Sequence, residues 1–290
     1  MDVGIGVPTT IPGVGREAFL DWARRADDAG FSTLGTIDRV VFGNYETIPP
    51  LAAAAAVTTR IRLTTSILLS PFRGNGTLLA KELATIDQIS AGRLTVGLAV
   101  GNREDDFTAT ATDYKGRGAA QDALLTELKA VWAGESRGVA GAVGPAPVQP
   151  GGPPLLIGGT GAAAMRRTVE FGAGWIGGGG GVERFSSVVQ KVREVWAEAG
   201  REGRPRFNAL AYFSLGPDAV AASRRYLLDY YGFLGETAEY VARGTLTTED
   251  AVRTEIDGFA AAGCDELILF PCSPDLAQVD LLAAAALSAR

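Results

Sequence analysis

Three times along this chain an amphipathic helix ends at a glycine and an apolar strand follows within a few residues. The stretches are FLDWARRADDAGFSTLGTI (19–37), RRTVEFGAGWIG (166–177) and GFAAAGCDELILF (258–270). Glycine fits the left-handed cap that closes a helix, and the chain can then enter a strand directly. Spread over the whole length, these junctions make strands and helices alternate, which defines an α/β protein with a parallel sheet. Strands are predicted near Val3–Val7, Thr33–Ile37, Ile61–Leu68, Leu94–Ala99, Leu155–Ile157, Trp175–Ile176, Phe207–Leu215 and Glu266–Phe270. Helices are predicted between them, among others at Arg16–Ala29, Thr77–Ser90, Gln121–Trp132, Ala162–Phe171 and Phe185–Ala199. Eight strands in 290 residues predict a (β/α)8 TIM barrel, expected as one domain over 1–290. A doubly wound open sheet is the alternative, weakened because no GxGxxG follows the first strand.

Two segments exceed the repeat. GESRGVAGAVGPAPVQPGGPP (134–154) is Gly- and Pro-rich and is expected as an excursion before strand five. Residues Gly216–Gly263 hold more helix than one crossover needs, so an extra helical hairpin is expected before strand eight.

Composition narrows the chemistry. The chain contains no histidine, which removes imidazole bases, His-based metal sites and His-dependent triads, and no metal site is expected. Net charge is −6 without a basic block, so neither nucleic acid nor an anionic membrane is an expected partner. The start, MDVGIGVPTT, has no basic or long apolar region of the signal-peptide kind, and a cytoplasmic location is expected. Cys264 and Cys272 flank the strand DELILF, too far apart along it for a disulfide.

A barrel places its site where the C-terminal ends of the strands meet. After strand two stand Asp38 and Arg39, within IDRVVFGNYE. After strand three comes SPFRGNG, and after strand four VGNREDDF, with Asn102 and Glu104. Strand five ends in IGGTGAAA and strand six in IGGGGGVERF. Gly159, Thr160 and Gly161 precede a predicted helix, where free backbone N–H groups and the positive helix end suit an anion and Thr160 can act as a cap. Gly177 and Gly178 can approach the same anion closely, so a phosphate-bearing cofactor is expected.

These motifs, in this order, resemble the luciferase-like monooxygenase superfamily, whose members use reduced FMN or the deazaflavin F420. LAAAAAVTTRIRLTTSILLSPFRGNGTLLAKELATIDQISAGRLTVGLAVG (51–101) is similar to the signature core, and PPLLIGGTG, FGAGWIGGG and AAGCDELILFP to later blocks. The resemblance implies a non-prolyl cis peptide between Ser66 and Ile67 behind the cofactor ring. It implies that Val100, Gly101 and Asn102 turn against the cofactor. It places the phosphate on Gly159, Thr160, Gly161, Gly177 and Gly178. Two positions depart from the family: Asp38-Arg39 stands where many members have Asp-His, and Asn102 where F420-dependent sugar-phosphate dehydrogenases have a glutamate.

The leading expectation is a two-component monooxygenase using reduced FMN from a separate flavin reductase on a small organic substrate, with Asp38, Arg39 and Asn102 as candidate catalytic residues. The alternative is an F420-dependent oxidoreductase moving hydride, for which basic residues such as Arg73, Arg103 and Arg117 would meet the anionic tail. A non-catalytic flavin-binding barrel is the third reading. The resemblance also implies a homodimer.

Overall fold

Eight parallel strands close into a barrel in chain order, each hydrogen-bonded to the next and the last to the first. The structure is a computed structural model and describes residues 1–287. The strands are β1 (Asp2–Gly6), β2 (Thr33–Thr36), β3 (Arg62–Leu69), β4 (Leu94–Ala99), β5 (Leu155–Gly158), β6 (Gly174–Gly177), β7 (Arg206–Phe213) and β8 (Glu266–Pro271). The helices are α1 (Arg16–Ala29), α2 (Ile48–Val57), α3 (Gly76–Ile89), α4 (Glu104–Ala109), α5 (Arg117–Trp132), α6 (Ala162–Phe171), α7 (Gly181–Glu198), α8 (Ala219–Tyr230), α9 (Glu236–Arg243), α10 (Glu249–Ala261) and α11 (Ala277–Ala286). The closed sheet is the predicted TIM barrel, and its closure rules out the open-sheet alternative.

The helix-to-strand junctions work by two different means. Gly30 caps α1 in the left-handed region, with its N–H on Ala26 and Asp27 carbonyls, and Gly263 follows α10 with φ 87°. Gly172 after α6 has φ −84°, so no left-handed cap forms there. Crowding selects that glycine instead: a Cβ would stand 2.7 Å from the Thr168 carbonyl oxygen. On the barrel side, α1 buries Phe19, Leu20 and Trp22. Each such side chain contributes roughly 1.5–3 kcal/mol, and the Trp22 indole also donates to the Gly6 carbonyl at 3.1 Å.

Inside the barrel, Phe270 lies across the bare backbones of Gly6 and Gly35, where added Cβ atoms would stand 2.1 and 2.9 Å from its ring. The opposite, N-terminal end of the barrel is closed by ions. Glu266, buried on β8, accepts from Ser32, Thr33, Arg62, Arg206 and Asn208.

The first excursion wraps the outside, where buried Asp87 accepts from the Val148 and Gln149 amides at 2.8 and 3.0 Å. The second is the expected helical hairpin: α8, a short turn at Gly232–Leu234, and α9. Its residues Tyr226, Leu227 and Tyr230 join Leu210, Tyr212, Phe270 and Cys272 in a second apolar cluster over the C-terminal mouth. Cys264 and Cys272 are both free and buried.

Candidate functional site

The mouth is shaped by a break in β3. Pairing with β4 shifts register between Thr65 and Leu68, and the Ser66–Ile67 peptide there is cis. Ile67 is thereby aimed across the mouth towards β5, where a Cβ on Gly158 would stand 3.0 Å from Ile67 Cδ1. Only a residue without a side chain leaves room at Gly158.

Around Ile67 lies a cavity of about 330 Å³. It gathers the strand ends anticipated from the sequence: Val100, Gly101 and Asn102 from β4, Gly159 and Thr160 from β5, Gly177 and Gly178 from β6. Ser66 is buried beside the cavity, its hydroxyl without a partner, and Gly161 is the N-cap of α6. The expected capping by Thr160 does not occur. Gly161 occupies the cap position and no side chain caps α6, because Thr160 stands one residue too early. The N-terminus of α7 is likewise uncapped by any side chain. Two helices thus present free N–H groups and positive dipole ends at the same wall.

Sequence reasoning passed over two residues of this wall. Arg184 lines the cavity from the first turn of α7 and makes no ion pair among the described residues. Its signal was present as the cation three residues after the glycine run. Trp175 lines the cavity from β6 and donates its indole N–H to the Gly159 carbonyl at 2.7 Å, fixing a turn whose φ of +111° only glycine adopts readily.

Asp38 and Arg39 are placed elsewhere: both line a second cavity of about 430 Å³ between the β2 and β3 loops. Buried Asp38 accepts from the Leu69 amide, Thr47 Oγ1 and Arg73, each at 2.8 Å. Burial pushes its carboxyl up, opposed by Arg73 and these donors. It holds the end of β3, whose Leu69 lines the first cavity. Asp38→Asn is therefore expected to lower stability by about 1–2 kcal/mol, read from urea unfolding at neutral pH. An unchanged midpoint would show that these contacts do not hold the strand end.

Arg39 does not pair with Asp38. Its guanidinium lies 4.7 Å from the ring of Tyr230, 4.9 Å from Phe233 and 5.3 Å from Phe42, and donates to the Tyr230 carbonyl at 2.9 Å. Arg103 lies 4.0 Å over the same Phe233 ring and pairs with Asp105. Burial, then the charge of Arg39, lower its affinity for a proton. Glu104 is exposed in the first turn of α4, where it complements the helix dipole rather than facing the cavity. Its neighbour Asp106 is buried and accepts from the Val40 and Val41 amides at 3.1 and 2.7 Å. Among the described residues no group of three or more His, Cys, Asp or Glu could hold a metal ion. No helix among them is long and apolar enough to cross a membrane.

The architecture is a closed eight-stranded parallel barrel with a cavity at its C-terminal mouth, walled on one side by the starts of α6 and α7. The chain belongs to the luciferase-like monooxygenase family, whose profile matches residues 1–266. It is similar to an uncharacterized Mycobacterium tuberculosis protein, Rv0953c, at 33% identity over 169 residues, 55% of this chain and 59% of that protein's length. Among solved structures, the monooxygenase RslO1 from Streptomyces bottropensis superposes with a TM-score of 0.77 at 23% identity, covering 99% of each chain. An F420-dependent secondary alcohol dehydrogenase superposes with a TM-score of 0.81 at 18% identity, covering 100% of this chain and 99% of that one. At those identities the likeness shows the fold.

Proposed function

We propose that this protein is a monooxygenase that takes reduced FMN from a separate flavin reductase and oxidises a small organic substrate. The carrying observation is the cradle formed by the starts of α6 and α7, which no side chain caps, with Arg184, in no ion pair, lining the cavity from the first turn of α7. That donor set suits a terminal phosphate, and the apolar Ile67, Leu69 and Ala99 suit the ring that precedes it. When bound, reduced FMN supplies the electrons that activate O2. The chain's own work is to hold the phosphate on Gly159–Gly161 and Arg184, to back the ring with Ile67, and to keep water out of the mouth with the α8 hairpin. Asn102 lines the same cavity and offers a neutral amide to the substrate side. No histidine or cavity carboxylate is required by this division of labour.

FMN is favoured over F420 by the charges beyond the cradle. The groove continuing past Thr160 between α6 and α7 is lined by three acids, Glu170, Glu194 and Glu198, against two cations, Lys191 and Arg166, the latter already paired to Asp122 and Glu170. An oligoglutamate tail would meet those acids. The rim arginines are engaged too: Arg73 with Asp38 and Glu46, Arg103 with Asp105, and Arg117 with the Gly101 and Tyr114 carbonyls.

Equilibrium dialysis against FMN, riboflavin and F420 in parallel tests the proposal. FMN should bind more tightly than both, and Arg184→Ala should weaken FMN severalfold, by about 1 kcal/mol, while leaving riboflavin unchanged. Tighter binding of F420 than FMN would overturn the choice of cofactor. An Arg184 variant indistinguishable from the parent would remove that residue from the cradle.

A further inference from the structure

The turn after β4 is held from outside the cavity that it lines. Gly101 and Asn102 stand in the cavity wall, whereas Tyr114 and Arg117, the first residue of α5, do not. Arg117 Nε donates to the Gly101 carbonyl at 3.2 Å, and the Tyr114 hydroxyl donates to the Asn102 carbonyl at 3.3 Å. The guanidinium is itself fixed, donating to the Tyr114 carbonyl at 2.7 Å and lying 3.9 Å from the centre of the Tyr114 ring. Tyr114 in turn meets Phe107 edge-on, and Phe107 meets Phe72, with ring centres 5.3 and 5.6 Å apart. A row of aromatic rings thus anchors the clamp.

The clamp decides which way one peptide faces. The Gly101–Asn102 bond is trans, so its carbonyl and its N–H point in opposite directions. With the carbonyl drawn out to Arg117, the Asn102 N–H is turned towards the cavity. No hydrogen bond among the described residues uses that N–H. It is a free donor at the wall of an open space. Arg117 supplies charge as well as direction: its partners are two carbonyls and a ring, with no carboxylate among the described residues. A cation on the oxygen of a peptide polarises it and strengthens the donor at its other end.

We infer that Arg117 is a positioning residue for the ring of the bound cofactor, aiming the Asn102 N–H at a ring oxygen. A reduced flavin at neutral pH sheds a proton and carries negative charge over its carbonyl-bearing ring. A polarised donor there favours the reduced form over the oxidised one. The inference rests on the reading of the cavity as a flavin site, and its test separates the two.

Anaerobic equilibrium dialysis of the full chain measures oxidised and reduced riboflavin, which lacks the phosphate, beside FMN. Arg117→Ala frees the Gly101 carbonyl and removes the charge. Reduced riboflavin should then bind about tenfold more weakly and oxidised riboflavin only about twofold. FMN should lose the same factors, whereas Arg184→Ala weakens FMN alone. Arg117→Lys keeps a cation and a donor for the carbonyl, and should recover most of the loss. Arg117→Gln keeps a donor without the charge and should lower the reduced-to-oxidised affinity ratio too, so the test survives a misfolded alanine variant. Equal losses of the two redox forms would mark a purely structural role and overturn the inference, as would a loss confined to FMN. A chain that takes both flavins with Arg117→Ala unchanged from the parent loses this inference alone. One that takes neither flavin loses the proposed function as well.

Discussion

Replacing Glu266 with alanine is expected to lower the unfolding free energy by about 3–5 kcal/mol. The side chain is 3% exposed and faces Arg62 and Arg206 at 2.8 and 2.9 Å, with Asn208 donating at 3.0 Å. Removing the carboxylate leaves two guanidinium groups at the closed end of the barrel. Both are 38% exposed, so water recovers part of the loss and the lower end of the range is expected. Burial alone would raise the Glu266 carboxyl, but Arg62, Ser32, Thr33 and Arg206 together hold it below its ordinary value. A depressed carboxyl contributes its stability above the unfolded value of about 4.3 and loses it as pH falls through the folded value. Urea unfolding of the parent and Glu266→Ala should therefore differ fully at pH 7, and the difference should shrink as pH falls below the ordinary carboxyl value of about 4.3 and through the lower folded one. A constant difference down to pH 3 would mean that the charge is not what the barrel end depends on.

The second large effect concerns the cradle. Gly159→Asp places a negative charge where the proposed phosphate binds, at a φ of +111°, with its Cβ 3.1 Å from that of Ala164. FMN affinity should fall at least tenfold, over about 1.4 kcal/mol. Gly159→Ala carries the same backbone demand without the charge and should fall less. Riboflavin, lacking the phosphate, should distinguish the two: its binding should be equal in both variants. If FMN and F420 bind Gly159→Asp as they bind the parent, the glycine loops are not the anion site.

The sequence made the frame of this fold legible because its signals are local. Gly30 and Gly263 mark helix ends by their own backbone preference, and the β-branched run of β3 needs no partner to be recognised. The cavity was legible for the same reason, since a barrel brings successive strand ends together whatever lies between them. Contacts across long separations were not. Arg39 meets the Tyr230 carbonyl across 191 residues, and of its aromatic box only Phe42 lies near it in the chain. Asp38 stood beside a free cation in sequence yet is claimed by Arg73, because the β3 loop folds back over β2. Arg184 was hidden by its setting: the sequence predicts a helix from Phe185, which leaves Arg184 in the loop before it, whereas α7 starts at Gly181. The second apolar cluster depends on where an excursion lands, which no periodicity encodes.

The bond from Trp175 to Gly159 has an optical consequence. Of the four tryptophans, Trp175 is the one that lines the cavity, while Trp22, Trp132 and Trp196 are buried among the helices. A yellow chromophore seated there lies beside this indole and accepts its excitation energy efficiently. The chain thus carries a built-in emitter at the cavity, and binding of such a chromophore should dim its ultraviolet fluorescence without a label. Trp175→Phe separates that signal from the background of the other three.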